Sequence, residues 1–165
     1  MNLLFDFAVD KANKTIRITR EFAADLDLVW DAFTKAEILD RWQAPKPFQA
    51  RTKEMDFREG GRWVYAMITP EITRWSKVEF LKIDPKFSFS ARNSFCDEDG
   101  NTLNNQYSLT TTSFKPLGEI TMVIIEKVFT DLSVLEMMAS NGFKEGMAMA
   151  LSNLDEYFSG QVVEK

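Results

Sequence analysis

The chain has 165 residues, a formal net charge of −5 and 45% hydrophobic residues, the profile of one globular domain rather than a disordered or fibrous chain. It has no histidine and 1 cysteine, which excludes Ser–His and Cys–His nucleophile pairs, imidazole metal sites, an internal disulfide and a multi-thiolate zinc centre. Against that absence stand 14 Phe, 4 Trp and 3 Tyr, so the composition offers apolar contact area more than acid–base chemistry.

Thr15–Phe22 alternates, with Ile16, Ile18 and Arg20 on one face, and predicts a strand. Phe5 and Phe7 alternate before it, and Asp10–Asn13 offers a hairpin turn between the two. Asp25 is a strong N-cap ahead of Leu26, Val29, Trp30 and Phe33 at helical spacing. Thr34 and Glu37 have capping-box spacing for a second short helix carrying Ile38, Leu39 and Trp42, which Pro45 and Pro47 end. Strands are expected over 50–57, 62–68, 73–83, 87–96, 103–114 and 120–129, separated by Gly60-Gly61, Asp84-Pro85, Asp99-Gly100-Asn101 and Pro116-Leu117-Gly118. Ser133 with Glu136 reads as another capping box, and Phe143, Met147, Leu151, Leu154 and Phe158 form one stripe along a long helix. That helix is expected to restart at Asn141-Gly142 and to close at Gly160. The order predicts an α+β domain spanning 1–165: a curled antiparallel sheet of six or seven strands covered by the long C-terminal helix, with two short helices after the first strand. The gap between sheet and helix is the default site.

Charge is uneven along the chain. Residues 41–62 hold Arg41, Lys46, Arg51, Lys53, Arg58 and Arg62, whereas 131–165 hold Asp131, Glu136, Glu145, Asp155, Glu156 and Glu164. These read first as solvated faces and second as a docking patch. The acidic balance speaks against nucleic acid as partner. Met1–Val9 lacks a basic start and carries Asp6, so no secretory signal or membrane insertion is expected, and the expected location is cytoplasmic. Cys96 is expected to be reduced and packed rather than reactive.

Several segments resemble one known family. The run Arg20–Phe33 (REFAADLDLVWDAF), Trp42-x-x-Pro45, the hairpin Met55–Trp63 with its Asp-x-Arg-x-Gly-Gly-x-Trp spacing, and Gly142–Met147 followed by Leu151–Tyr157 carry the likeness. Together they resemble the activator of heat-shock protein 90 ATPase-like family, within the START and birch-pollen-allergen-like SRPBCC superfamily. The resemblance implies a helix-grip fold, a curved sheet around a long C-terminal helix with a cavity between them. It also implies diverse functions: binding of hydrophobic small molecules, cyclisation, or stimulation of a chaperone ATPase. The namesake co-chaperone carries an additional N-terminal domain that this sequence does not include, and the family motif offers no invariant catalytic residue.

The expected cavity walls are Trp63, Tyr65, Met67, Phe87, Phe89, Tyr107, Met138, Phe143 and Met147, with Arg92 as polar anchor beside Tyr107. Trp30, Phe33, Leu154 and Phe158 are assigned to the core. The facing of Arg74, Glu79, Asn93, Gln106, Glu126 and Lys127 stays open, because one register step moves each from pocket to solvent. Three functions follow in order: a binder of a hydrophobic or aromatic molecule without cofactor or metal, a chaperone-activator-like interaction module, and a cyclase or hydrolase without histidine.

Overall fold

The computed structural model describes residues 3–103 and 106–163. Residues 104 and 105 of the expected strand over 103–114, together with Met1, Asn2, Glu164 and Lys165, lie outside them. The strands are β1 (Phe5–Asp10), β2 (Thr15–Phe22), β3 (Gln49–Met55), β4 (Arg62–Ile68), β5 (Thr73–Asp84), β6 (Ser88–Cys96), β7 (Ser108–Leu117) and β8 (Ile120–Phe129). They form one sheet in the order β1-β2-β8-β7-β6-β5-β4-β3, with every neighbouring pair antiparallel. Eight strands replace the six or seven expected, because the β1–β2 hairpin adds to the later meander. The helices are α1 (Leu26–Thr34), α2 (Ala36–Trp42), α3 (Leu132–Ser140) and α4 (Phe143–Val163).

Helix ends follow local chemistry, with two corrections. Asp25 caps α1 by accepting the Leu28 amide at 2.9 Å. The expected Thr34–Glu37 box does not form: Thr34 donates to the Trp30 carbonyl at 2.8 Å, and Lys35 occupies the cap. Asp131, not Ser133, caps α3, taking the Ser133 amide at 3.0 Å. The last two helices are separate, broken where Gly142 adopts φ 82°. Gly160 does not close α4, which continues to Val163. The expected strand over 103–114 begins only at Ser108.

Side-chain alternation turns one face of the sheet toward the helices. On that face Ile16, Ile18 and Phe22 of β2, Val123, Ile125 and Phe129 of β8, and Phe89 and Ala91 of β6 are buried. A bulge between Phe80 and Lys82 keeps Val78, Phe80 and Ile83 all on the inner side and leaves Leu81 exposed. Trp30, Phe33, Leu154 and Phe158 are buried against this face, as expected.

Candidate functional site

The residues that carry the family motifs hold the fold. The Trp42 indole donates to the Ala32 carbonyl at 2.9 Å and ties α2 to α1. A Cβ on Gly61 would lie 2.1 Å from the Asp56 carbonyl oxygen, so the β3–β4 turn needs glycine there. Arg58 is ion-paired to Asp56 at 2.8 Å within that turn, and the Trp63 indole donates to Thr52 at 2.9 Å.

One half of the concave face is closed by aromatic rings. Trp30 of α1 meets Phe57, Phe89 and Phe114 edge-on at 5.8, 6.0 and 5.1 Å. Phe57 in turn packs on Phe80 at 4.8 Å, and Phe33 on Phe114 at 5.6 Å. Next to this knot Phe22 meets Phe158 at 5.6 Å. Arg20 lies buried there, ion-paired to Asp155 of α4, donating to the Glu21 carbonyl and stacked 4.8 Å from the Phe22 ring.

The other half carries a polar cluster set among buried apolar residues such as Phe129, Ala91 and Val78. Lys127 of β8 is directly opposite Thr110 of β7, which is opposite Ala91 of β6. Asn93 follows two residues later on the same face and pairs with Ser108. Lys127, Thr110 and Asn93 therefore adjoin on the concave surface. Asn93 Oδ1 and Thr110 Oγ1 are buried without a hydrogen-bond partner among the described residues. Lys127 is in none of the ion pairs formed by the described residues. Its Nζ lies 5.9 Å from the Phe129 ring. Burial of the ammonium alone pulls its pKa from 10.5 to about 8.

Several of the expected wall residues are buried or packed on the core. Trp63 and Tyr65 stack at 4.1 Å. The Tyr65 phenol, in contact with Ser76 and Gln43, is raised above its usual pKa chiefly by burial. Phe89 is buried in the core, and Met67, Met138, Phe143 and Met147 pack against it. Three expectations are corrected. Phe87 is 64% exposed, because the β5–β6 turn, with Lys86 at φ 69°, takes it to the rim. Ala91 and Ser108 point inward, so Arg92 and Tyr107 face outward by parity. They do meet, with the guanidinium 4.4 Å from the phenol ring, but outside the sheet. Of the residues with open facing, Asn93 and Lys127 point inward, whereas Glu79 and Glu126 share the outer parity. Thr110 was not anticipated, because an inward threonine in Leu109-Thr110-Thr111-Thr112 has no apolar alternation to mark it.

Elsewhere the chemistry is ordinary. A surface cleft of about 410 Å³ between the α2–β3 connection and α4 mixes Asp40, Arg41, Lys46 and Glu156. A second, of about 420 Å³, lies outside β1, β2 and β8 around Asp10, Arg17 and Glu126. Cys96 is buried, and burial raises its thiol pKa. Among the described residues no group of acidic or thiol side chains is placed to hold a metal ion, and no helix is long and apolar enough to cross a membrane.

The comparisons agree with this architecture. Protein Ms6760 from Mycobacterium smegmatis is 25% identical, with a TM-score of 0.87 over 97% of this chain and 99% of that one. A protein from Arthrobacter aurescens, solved by NMR, is also 25% identical, with a TM-score of 0.87 over 94% and 91%. CalU16 from Micromonospora echinospora shares the fold at 18% identity, with a TM-score of 0.61 over 99% and 88%. No curated protein matches the sequence. The model of the family "Activator of Hsp90 ATPase homolog 1-like protein" matches residues 23–159. A match over most of the chain, on a sheet wrapped by a long C-terminal helix, establishes that this protein belongs to the activator of Hsp90 ATPase homolog 1-like family.

Proposed function

We propose that the protein binds a hydrophobic or aromatic small molecule between the concave sheet and helices α3 and α4. The observation that carries this reading is the cluster of Lys127, Thr110 and Asn93, inward-facing and incomplete. A buried polar atom without a partner costs about 1–3 kcal/mol, so adjacent orphaned groups point to a missing partner. Met138, Phe143 and Met147, only partly buried opposite the sheet, supply an adaptable apolar wall.

Native mass spectrometry of the purified protein, with thermal-shift screening against lipids, flavonoids and polyketides, tests the reading. A co-purifying organic molecule, or a melting temperature raised by one of these classes, is the expected result. A ligand-free protein that none of them stabilises contradicts it.

Docking to a chaperone draws on the family description. The basic segment offers it little, since Arg58 pairs with Asp56, Arg62 with Glu54 and Lys53 with Asp99. A catalytic reading has one observation on its side, the desolvated Lys127 amine. Conversion of a bound compound, detected by mass spectrometry, would move the protein to that class.

A further inference from the structure

We propose that the ligand is a carboxylic acid on an apolar or aromatic body, with its carboxylate on Lys127 and a hydroxyl or N–H donor on Asn93 and Thr110. This rests on the interior-binding reading above and adds the polar chemistry of the ligand. Three observations support it.

The cluster does not satisfy itself. Thr110 is the cross-strand partner of Lys127, and Asn93 is its diagonal neighbour on the next strand. An ammonium is a donor, while Oδ1 and Oγ1 can both accept, yet neither oxygen has a partner. The groups share one face on neighbouring strands, and the two oxygens are left with hydrogen-bonding capacity for a third body.

Among the described residues no ion pair completes the charge on Lys127. The other inward-facing buried cation, Arg20, has Asp155 as counter-ion. For Lys127, burial depresses the pKa, and none of the ion pairs among the described residues includes it. A buried ammonium is completed most favourably by an anion that also accepts its hydrogen bonds. A carboxylate is charged at neutral pH, whereas an ordinary phenol is not.

The donor requirement is separate. Asn93 Oδ1 cannot bind a carboxylate, since both are acceptors. It fits a hydroxyl or N–H carried on the same ligand, and Thr110 can serve either group. The buried Phe129, Val78 and Trp63, in register beside Asn93 and Ser108, leave the rest of the ligand an apolar body to match.

The test uses two fluorescent probes of one shape, 1-naphthoate and 1-naphthylmethanol, titrated into the wild-type protein and Lys127→Met. The wild type is expected to favour the acid by at least roughly tenfold, the discrimination one charge-assisted hydrogen bond supplies. In Lys127→Met that preference disappears. In the wild type, 1-naphthoate also slows acetylation of Lys127 by acetic anhydride, read by peptide mass spectrometry. Equal binding of both probes, or a preference that survives Lys127→Met, overturns the carboxylate assignment and leaves interior binding standing. Failure of both probes to bind overturns the carboxylate assignment, while the screen against lipids, flavonoids and polyketides decides the interior-binding reading separately.

Discussion

Two inward-facing cations, Arg20 on β2 and Lys127 on β8, sit on adjacent strands of one concave face and meet opposite surroundings. Arg20 lies among Phe22, Phe33 and Phe158 and finds a carboxylate, a carbonyl and a ring face. Lys127 has the ring of Phe129 and shares its face with Thr110 and Asn93, whose side-chain oxygens have no partner among the described residues. Same face, same fold, opposite treatment. Where charge is completed by the chain itself, it serves the structure. Where it is desolvated and left incomplete, it lowers stability, and such sites persist where function needs them.

Substitutions at the two ends should therefore differ in sign as well as size. The largest expected loss is in the aromatic half: Phe114→Ala opens space between Trp30, Phe33 and Phe89 and should cost about 3–5 kcal/mol by urea denaturation. Met147→Ala, at a partly buried position, should cost clearly less, and an equal loss would erase the distinction between the closed aromatic knot and the looser helix wall.

Lys127→Met should stabilise the protein. A pKa moved from 10.5 to about 8 corresponds to roughly 3 kcal/mol of desolvation penalty at neutral pH, at ~1.4 kcal/mol per pH unit. Below pH 8 the amine is protonated in both folded and unfolded chains, so the full penalty applies. Between about 8 and 10.5 the folded amine releases its proton while the unfolded one keeps it, and wild-type stability rises with pH. The advantage of Lys127→Met in thermal melts should thus be large at pH 7 and mostly gone by about pH 10. Arg20→Met should do the reverse and destabilise by about 1–3 kcal/mol, moderated because Asp155 is partly exposed and regains water. The smallest effect is at a cap: Asp25→Ala, losing the bond to the Leu28 amide, should cost about 1 kcal/mol in the same melts.

The architecture was legible in the sequence because its signals are local. Asp25 before an apolar helical face, Gly60-Gly61 between alternating runs, and the stripe from Phe143 to Phe158 each fix an element by short-range chemistry. The site was less legible because facing depends on register. In β8, Thr121-Met122-Val123-Ile124-Ile125 is apolar on both faces, so the parity of Lys127 is undefined until pairing with Thr110 sets it. Arg92 and Asn93 differ by one position, and the pairing of Ala91 with Phe80 places Asn93 inside and Arg92 out. Phe87 has the parity of Phe89, but the turn at Lys86 ends the buried surface before it. The family motifs gave no help here, since Trp42, Gly61 and Arg58 hold loops and helices in place.

The central claim, that Lys127 is a desolvated amine awaiting an anionic partner, is tested most directly by NMR titration of its side chain. With lysine labelled at the ε-carbon, the Lys127 resonance should titrate near 8 in the free protein. Saturating 1-naphthoate should move that midpoint upward, because an adjacent carboxylate favours the charged form. A midpoint near 10.5 that 1-naphthoate leaves unchanged would contradict the account.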